Sequence, residues 1–407
     1  MRERAARAVR ECLRMAKMSE EPERTTRRFL TSPVGAVHAL LRSRMEALGM
    51  TVKLDAVGNL RGAWQPSGAR SKRVILGSHI DTVPDAGGFD GVLGVAIALE
   101  LAELAQQFER PPAIEVIAFS EEEGVRFGAP FIGSRAVAGR FDPALLALKD
   151  AEGVTLEDAI RAFGLDPARI AEAEIGEGAI AYFETHIEQG PVLAAEGLQI
   201  AAVTSIAGQS RFSLKWLGHS DHAGTTPMHL RRDALAGAAE FISAVEVWAK
   251  RTEGLVATVG RLEVLPNAGN VVPGSARMAL EVRHVEDFIR NEAVEGLLAQ
   301  ARSIARRRNL QFESTLQLDQ PAVPMDERLT SILAEAIEAA GLPVKRMPSG
   351  AGHDAMVMAA RMPAAMLFVR SPGGVSHHPE EAVLEEDVEA AIRVGGEFLN
   401  RLAAEVS

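Results

Sequence analysis

At 407 residues, 47% hydrophobic and 24% charged, the chain has room for two domains of ordinary size and the make-up of a soluble globular protein. No run of about 18 apolar residues is present to span a membrane, and a formal net charge of −11 argues against a nucleic-acid partner, because the basic runs Arg27-Arg28 and 306–308 are too short to outweigh it. The single cysteine, Cys12, excludes a disulfide framework and a multi-thiolate zinc site, and it suits a cytoplasmic location.

Residues 1–30 are Arg-rich, carry several Glu and lack a continuous apolar core, so they read as a solvated amphipathic helix and not as a signal peptide. A helix follows over 35–48, then strands over 51–54, 59–64 and 74–76. The stretch 74–94, VILGSHIDTVPDAGGFDGVLG, carries His79 and Asp81 at a strand's carboxyl end and Asp90 at the start of the helix that begins near Gly94. Taken alone, Asp81 and Asp90 also fit turn and N-cap roles. The buried strand 114–119 ends in Glu121-Glu122-Glu123-Gly124, a run that by itself also fits a solvated loop. Residues 140–178 read as helix-rich, with Pro143 and Pro167 near helix starts. The strand-like run from Ala179 reaches His186 and Gln189.

From about residue 206 the pattern becomes strand 211–216, helix 231–250, strands 255–265 and 276–283, helix 285–308 and strand 310–318. That β-α-β-β-α-β order is the ferredoxin-like unit, and it predicts an inserted domain over 208–319. The flanking segments, 1–207 and 320–407, then form one discontinuous catalytic domain. Its second part resumes with helix 327–340, strand 344–347, the Gly-rich turn from Ser349 to Asp354, the buried strand 365–369, His377-His378, and a last helix over 385–402.

His79, Asp90, Glu123, His186 and His377 thus recur at strand ends as nitrogen and oxygen donors without sulfur, a set that suits a pair of divalent ions sharing a carboxylate. Such a pair lowers the pKa of a shared water and polarises a carbonyl, which is hydrolytic chemistry.

The motifs GSHIDTV, GGFDGVLGV, EEGVRF, HIEQGPVL, DHAGTTPM, PNAGNVVPG, SGAGHDA and GGVSHHPEE, in this order, resemble the amidase/carbamoylase branch of the M20 metallopeptidase superfamily, over residues 19–381. The resemblance implies an α/β, di-metal aminopeptidase-like three-layer catalytic domain with an inserted lid and dimerisation domain. It implies two divalent ions, Mn²⁺, Zn²⁺, Co²⁺ or Ni²⁺, on His79, Glu123, His186, His377 and the bridging Asp90, with Glu122 as general base and Asp81 supporting His79. His222, Asn270 and Arg283 on the insert match its substrate and oxyanion residues, and Gln189 and Gly352 its substrate contacts. A homodimer through the insert is implied, with His222 reaching the partner's site. The family usually has one His followed by Asn or Ser where this chain has His377-His378.

The implied reaction is hydrolysis of the ureido C–N bond of a small carboxylate, releasing ammonia and carbon dioxide. Allantoate is favoured because SEEPERTTRRFLTSP and MLFVRSPGGVSHHPEE look like the allantoate-type members. An N-carbamoyl-L-amino acid hydrolase or a β-ureidopropionase is the alternative. An aminoacylase or dipeptidase ranks lower, since His186 replaces the acidic ligand typical of those relatives. A non-catalytic binding protein on the same scaffold would have lost a ligand or the base, and this chain retains them all.

Overall fold

The computed structural model describes residues 1–66 and 72–406. The chain divides into two compact units, 1–204 with 325–407, and 205–324.

The larger unit is a mixed sheet covered by helices. Its strands are β1 (Thr51–Leu54), β2 (Leu60–Trp64), β3 (Arg73–His79), β4 (Ala113–Phe119), β5 (Ala179–Ile187) and β6 (Ile200–Ile206). After the smaller unit's β7 (Gly208–Leu217), β8 (Val256–Leu265), β9 (Ser275–His284) and β10 (Gln311–Gln320) come β11 (Val323–Pro324), β12 (Arg346–Ser349) and β13 (Ala364–Val369). The order is β1-β2-β4-β3-β5-β13-β6, with β12 beside β6 and the short β11 paired to Ser205 and Ile206 at the far end of β6.

The four central strands, β4-β3-β5-β13, are parallel. All four are largely buried and mostly apolar, turning polar toward the carboxyl ends of β3 and β5, the pattern of strands covered on both faces. Being parallel, they end together: His79 lies opposite Phe119, and Phe368 opposite His186. The loops that leave these four ends therefore crowd into one place, the edge where open α/β sheets bind ligands.

Three helices come from the first part of the chain: α1 (Arg2–Ala16), α2 (Ser32–Ala47) and α3 (Val92–Ala105). α3 is nearly all apolar and buried, and follows Asp90 directly. α1 corrects the expectation of a solvated helix. Ala5, Ala8, Cys12 and Met15 recur at helical spacing as a narrow stripe that is wholly buried. Its Arg4 and Arg7, together with Arg44 of α2, converge on Glu100 of α3, which is fully buried. Small residues at the contact let the helix approach closely enough for its arginines to be used in packing.

The smaller unit has the element order β7, helix Ala234–Arg251, β8, β9, helix Asp287–Arg307, β10. Its sheet is antiparallel in the order β10-β7-β9-β8. Burial alternates along β7 and β9, so one face carries Trp216, Met278 and Leu280 into a core with Phe241 and Leu297 of the two helices.

Candidate active site

The center of the site is Asp90, just before α3. Its Oδ1 lies 3.2 Å from His186 Nε2 and 3.6 Å from His79 Nε2, and the two imidazole Nε2 atoms are 3.4 Å apart. Its Oδ2 lies 3.2 Å from His377 Nε2, which is 3.5 Å from Glu123 Oε1. Two donor triads thus share one carboxylate: His79, Asp90 and His186, and Asp90, Glu123 and His377.

The chain fixes the outer nitrogens as well. His79 Nδ1 faces the Asp81 backbone carbonyl at 3.1 Å and Asp81 Oδ1 at 3.4 Å, while His186 Nδ1 faces the Ile187 carbonyl at 2.9 Å. An Nδ1–H donated to a carbonyl leaves the Nε2 lone pair aimed at Asp90, the arrangement of a metal-binding histidine. Asp81 does more than support His79. Its Oδ1 and Oδ2 accept the backbone N–H groups of Glu122 and Glu123 at 3.0 and 3.1 Å, tying the β4 loop to the β3 loop.

The donor set fits a divalent cation. Asp90 Oδ1 is buried without a hydrogen-bond partner, and lone pairs from nitrogen and oxygen converge on it. Burial alone would raise the Asp90 pKa, but His186, His377 and His79, when they carry a proton on Nε2, more than offset it and hold the carboxyl well below its ordinary range. Burial pushes Glu122 well above the usual carboxylate range, with Glu123, Asp354 and Asp81 adding to the rise. Burial, with Asp90 beside it, pushes Glu123 up to about 7. A carboxyl raised in this way can take up and return a proton near neutral pH.

His377 and His378 part company. His377 faces Asp90, whereas His378 Nδ1 accepts the Glu380 N–H at 3.2 Å and its side chain is 58% exposed. Gln189 donates from Nε2 to Asp90 Oδ2 at 3.0 Å. Gly352 lies against Glu122: a Cβ there would be 3.8 Å from Glu122 Oε1 and 2.9 Å from the Phe131 ring. The Gly-rich turn therefore packs closely against Phe131, beside the acid.

The remaining sequence candidates are in the smaller unit. His222 pairs with Val271, and the Ala223 N–H donates to the Asn270 carbonyl at 2.9 Å, so the loops bearing His222 and Asn270 lie side by side. His222 Nδ1 accepts the N–H groups of Gly224 and Thr225 at 3.1 and 3.2 Å. Its proton is consequently on Nε2, which makes that atom a donor. Arg283 sits near the other end of β9, its guanidinium paired with Glu281 at 2.6 Å. From Ser275 to Arg283 the strand rises about 27 Å at about 3.4 Å per residue. The loops that hold His222 and Asn270 attach at the Ser275 end, where the Gly218 N–H donates to the Gly274 carbonyl.

The sequence model of peptidase family M20/M25/M40 matches residues 75–401. The chain belongs to this family. It is 38% identical over 379 residues, 92% of this chain and 91% of the relative, to an N-carbamoyl-L-amino acid amidohydrolase of Geobacillus stearothermophilus. It is 36% identical over 415 residues, 93% of this chain and 84% of the relative, to a probable allantoate deiminase of Oryza sativa subsp. japonica. Among solved structures, an amidase of the hydantoinase/carbamoylase family from Burkholderia multivorans aligns with a TM-score of 0.91 at 32% identity, covering 98% of this chain and 97% of that one. The M20 family is metal-dependent, and this member has side-chain groups able to hold a metal ion.

This M20 chain also places at the site Glu184 and Glu381, which sequence reasoning missed, and His353, which the sequence reads as a structural or supporting residue. Glu184 lies two residues before His186 on β5, buried, accepting from Ser78 Oγ at 2.9 Å, Tyr182 Oη at 3.0 Å and the Ala355 N–H at 2.9 Å. His353 is buried with its ring centroid 4.4 Å from that of His186 and its Nε2 2.8 Å from Ser349 Oγ. Glu381 accepts the backbone N–H groups of Phe89 and Asp90. The period-2 spacing of 182, 184 and 186 was a usable signal for Glu184, because alternate residues of a strand share a face. Glu381 had none, as it lies 291 positions from Asp90.

Proposed function

We propose that this M20 chain is a metal-dependent amidohydrolase that cleaves the ureido C–N bond of a small carboxylate, with allantoate as the substrate. The observation that carries the reading is the pair of donor triads sharing Asp90, with Glu122 beside them. His79, Asp90 and His186, and Asp90, Glu123 and His377, would hold two divalent ions (Mn²⁺, Zn²⁺, Co²⁺ or Ni²⁺), which when bound would polarise the ureido carbonyl and acidify the attacking water. Glu122 removes the proton from that water and returns it to the leaving nitrogen. His222 donates from Nε2, with Asn270, to the oxygen that gains charge as the carbonyl is attacked. Arg283 binds the substrate carboxylate through its guanidinium, which Glu281 of the same strand holds in place. Gln189 and the Gly352 turn line the space beside Glu122.

A homodimer, with residues 208–319 as a ferredoxin-like lid and dimerisation domain, follows from the same reading. The separation of about 27 Å along β9 supports it. A small substrate bound by Arg283 of one chain would then meet His222 and Asn270 of the partner chain, in keeping with that separation. A mixed dimer of His222→Ala and Glu122→Gln chains tests this: one of its two sites should recover near-normal turnover. A dead mixed dimer that binds metal normally overturns the shared site.

Relatives named for N-carbamoyl-L-amino acids and for allantoate both cover most of the chain, which keeps an N-carbamoyl-L-amino acid as the second reading. Hydrolysis of allantoate and N-carbamoyl-L-amino acids, followed as ammonia release, and of N-acetyl amino acids, followed as acetate release, before and after chelation and metal return, decides between them. Allantoate is expected to give the largest kcat/KM. Preference for an N-acetyl amino acid, or full turnover after exhaustive metal removal, refutes the proposal.

A further inference from the structure

The two triads are built differently. His79 and His186 are carried on strands and are 2% and 1% exposed. His377 is on irregular chain, its side chain is 48% exposed, and its φ of 55° is left-handed. That conformation is unfavourable for a non-glycine residue and persists only where surrounding contacts enforce it.

Glu381 supplies such contacts. It is 5% exposed, its Oε1 accepts the N–H groups of Phe89 at 2.8 Å and Asp90 at 3.0 Å, and its Oε2 accepts from Ser376 Oγ at 3.2 Å. Its own N–H donates to the His378 carbonyl at 3.0 Å, closing the turn that follows His377. Gly87 leaves the room this requires: a Cβ there would lie 2.2 Å from Glu381 Cβ and 2.4 Å from Oε1. We propose that Glu381 is a positioning residue that clasps the His377 segment to the Asp90 loop, and that it sets the affinity of the Asp90–Glu123–His377 ion site while leaving the His79–Asp90–His186 site intact. The proposal rests on the two-ion reading above.

The test is Mn²⁺ binding to the metal-stripped full chain, by titration calorimetry and by metal content after gel filtration. Wild type should take two ions, and His377→Ala gives the reference for loss of the second. Glu381→Ala should keep one tight ion and bind the other about 10–100-fold more weakly, the scale for losing a group that orients a ligand. Glu381→Gln should bind close to wild type, because its amide oxygen can accept both N–H groups and its NH₂ can donate to Ser376. Gly87→Ala, which leaves the carboxylate in place but crowds it, should reproduce the alanine variant and carries the test should that variant not fold. Two wild-type affinities in Glu381→Ala or Gly87→Ala overturn the clasp, as do equal losses at both sites or a Glu381→Gln chain as weak as the alanine variant. A wild-type chain that takes fewer than two ions overturns the two-ion reading itself, and the clasp falls with it.

Discussion

Replacing Asp81 by Asn changes one atom and removes one acceptor at the joint between two loops of the site. In the native chain the carboxylate is 1% exposed and accepts the Glu122 and Glu123 N–H groups, one on each oxygen. The amide keeps an oxygen for one of them and turns an NH₂ group on the other, so a buried backbone donor faces a donor. An unsatisfied buried N–H costs about 1–3 kcal/mol, and the surviving bond loses its charge assistance, so the metal-free chain should lose about 2–4 kcal/mol. Because the same substitution loosens His79 and displaces Glu123, Mn²⁺ affinity should fall about 10–100-fold. Denaturant unfolding of the metal-free chain and calorimetric Mn²⁺ titration measure the two effects separately. A folded Asp81→Asn chain with native stability and native affinity would refute the assignment of Asp81 as the tie between the β3 and β4 loops.

Glu122→Gln should retain metal and cut turnover by about 10²-fold or more, the scale of a positioned acid/base, whereas Glu123→Gln should lose metal; the reverse pattern, read by metal analysis and ammonia release, would exchange their roles. His377→Ala should lose one ion while His378→Asn is nearly silent, because only the His377 ring faces Asp90, and metal loss in the second variant would contradict that geometry. Burial holds His38 down at about 4, below its unfolded value near 6.5, so the stability of the neutral ring is present above that value and is lost as pH falls from about 6.5 toward 4. Between pH 7.5 and pH 5 the wild type should therefore lose about 2 kcal/mol more than His38→Gln in urea unfolding, and equal losses in both chains would remove His38 as a source of acid sensitivity.

What the sequence disclosed and what it hid follow one physical line. The central strands were legible because a strand buried on both faces has to be written as an apolar run, and the groups at its end then stand out against it. His79, Asp90, Glu123 and His186 are visible for that reason. β6 and the short β11 carried no comparable contrast and were missed. The pairing partners of charged residues were hidden more thoroughly. Arg27 reads as half of a basic run, yet it is fully buried, with Nη1 donating to the Met15 carbonyl at 2.8 Å and Nε to the Ile80 carbonyl between His79 and Asp81. Arg4 and Arg7 read as solvent-facing, yet they meet Glu100. A charge becomes a buried structural element only when distant chain supplies its counter-group or its carbonyls, and local composition holds no record of that supply. The residues hardest to read were thus those that bind the site's loops to one another: Arg27, Asp81 in its second role, and Glu381. The candidate ligands are set by local sequence, whereas their convergence on Asp90 is set by these long-range ties.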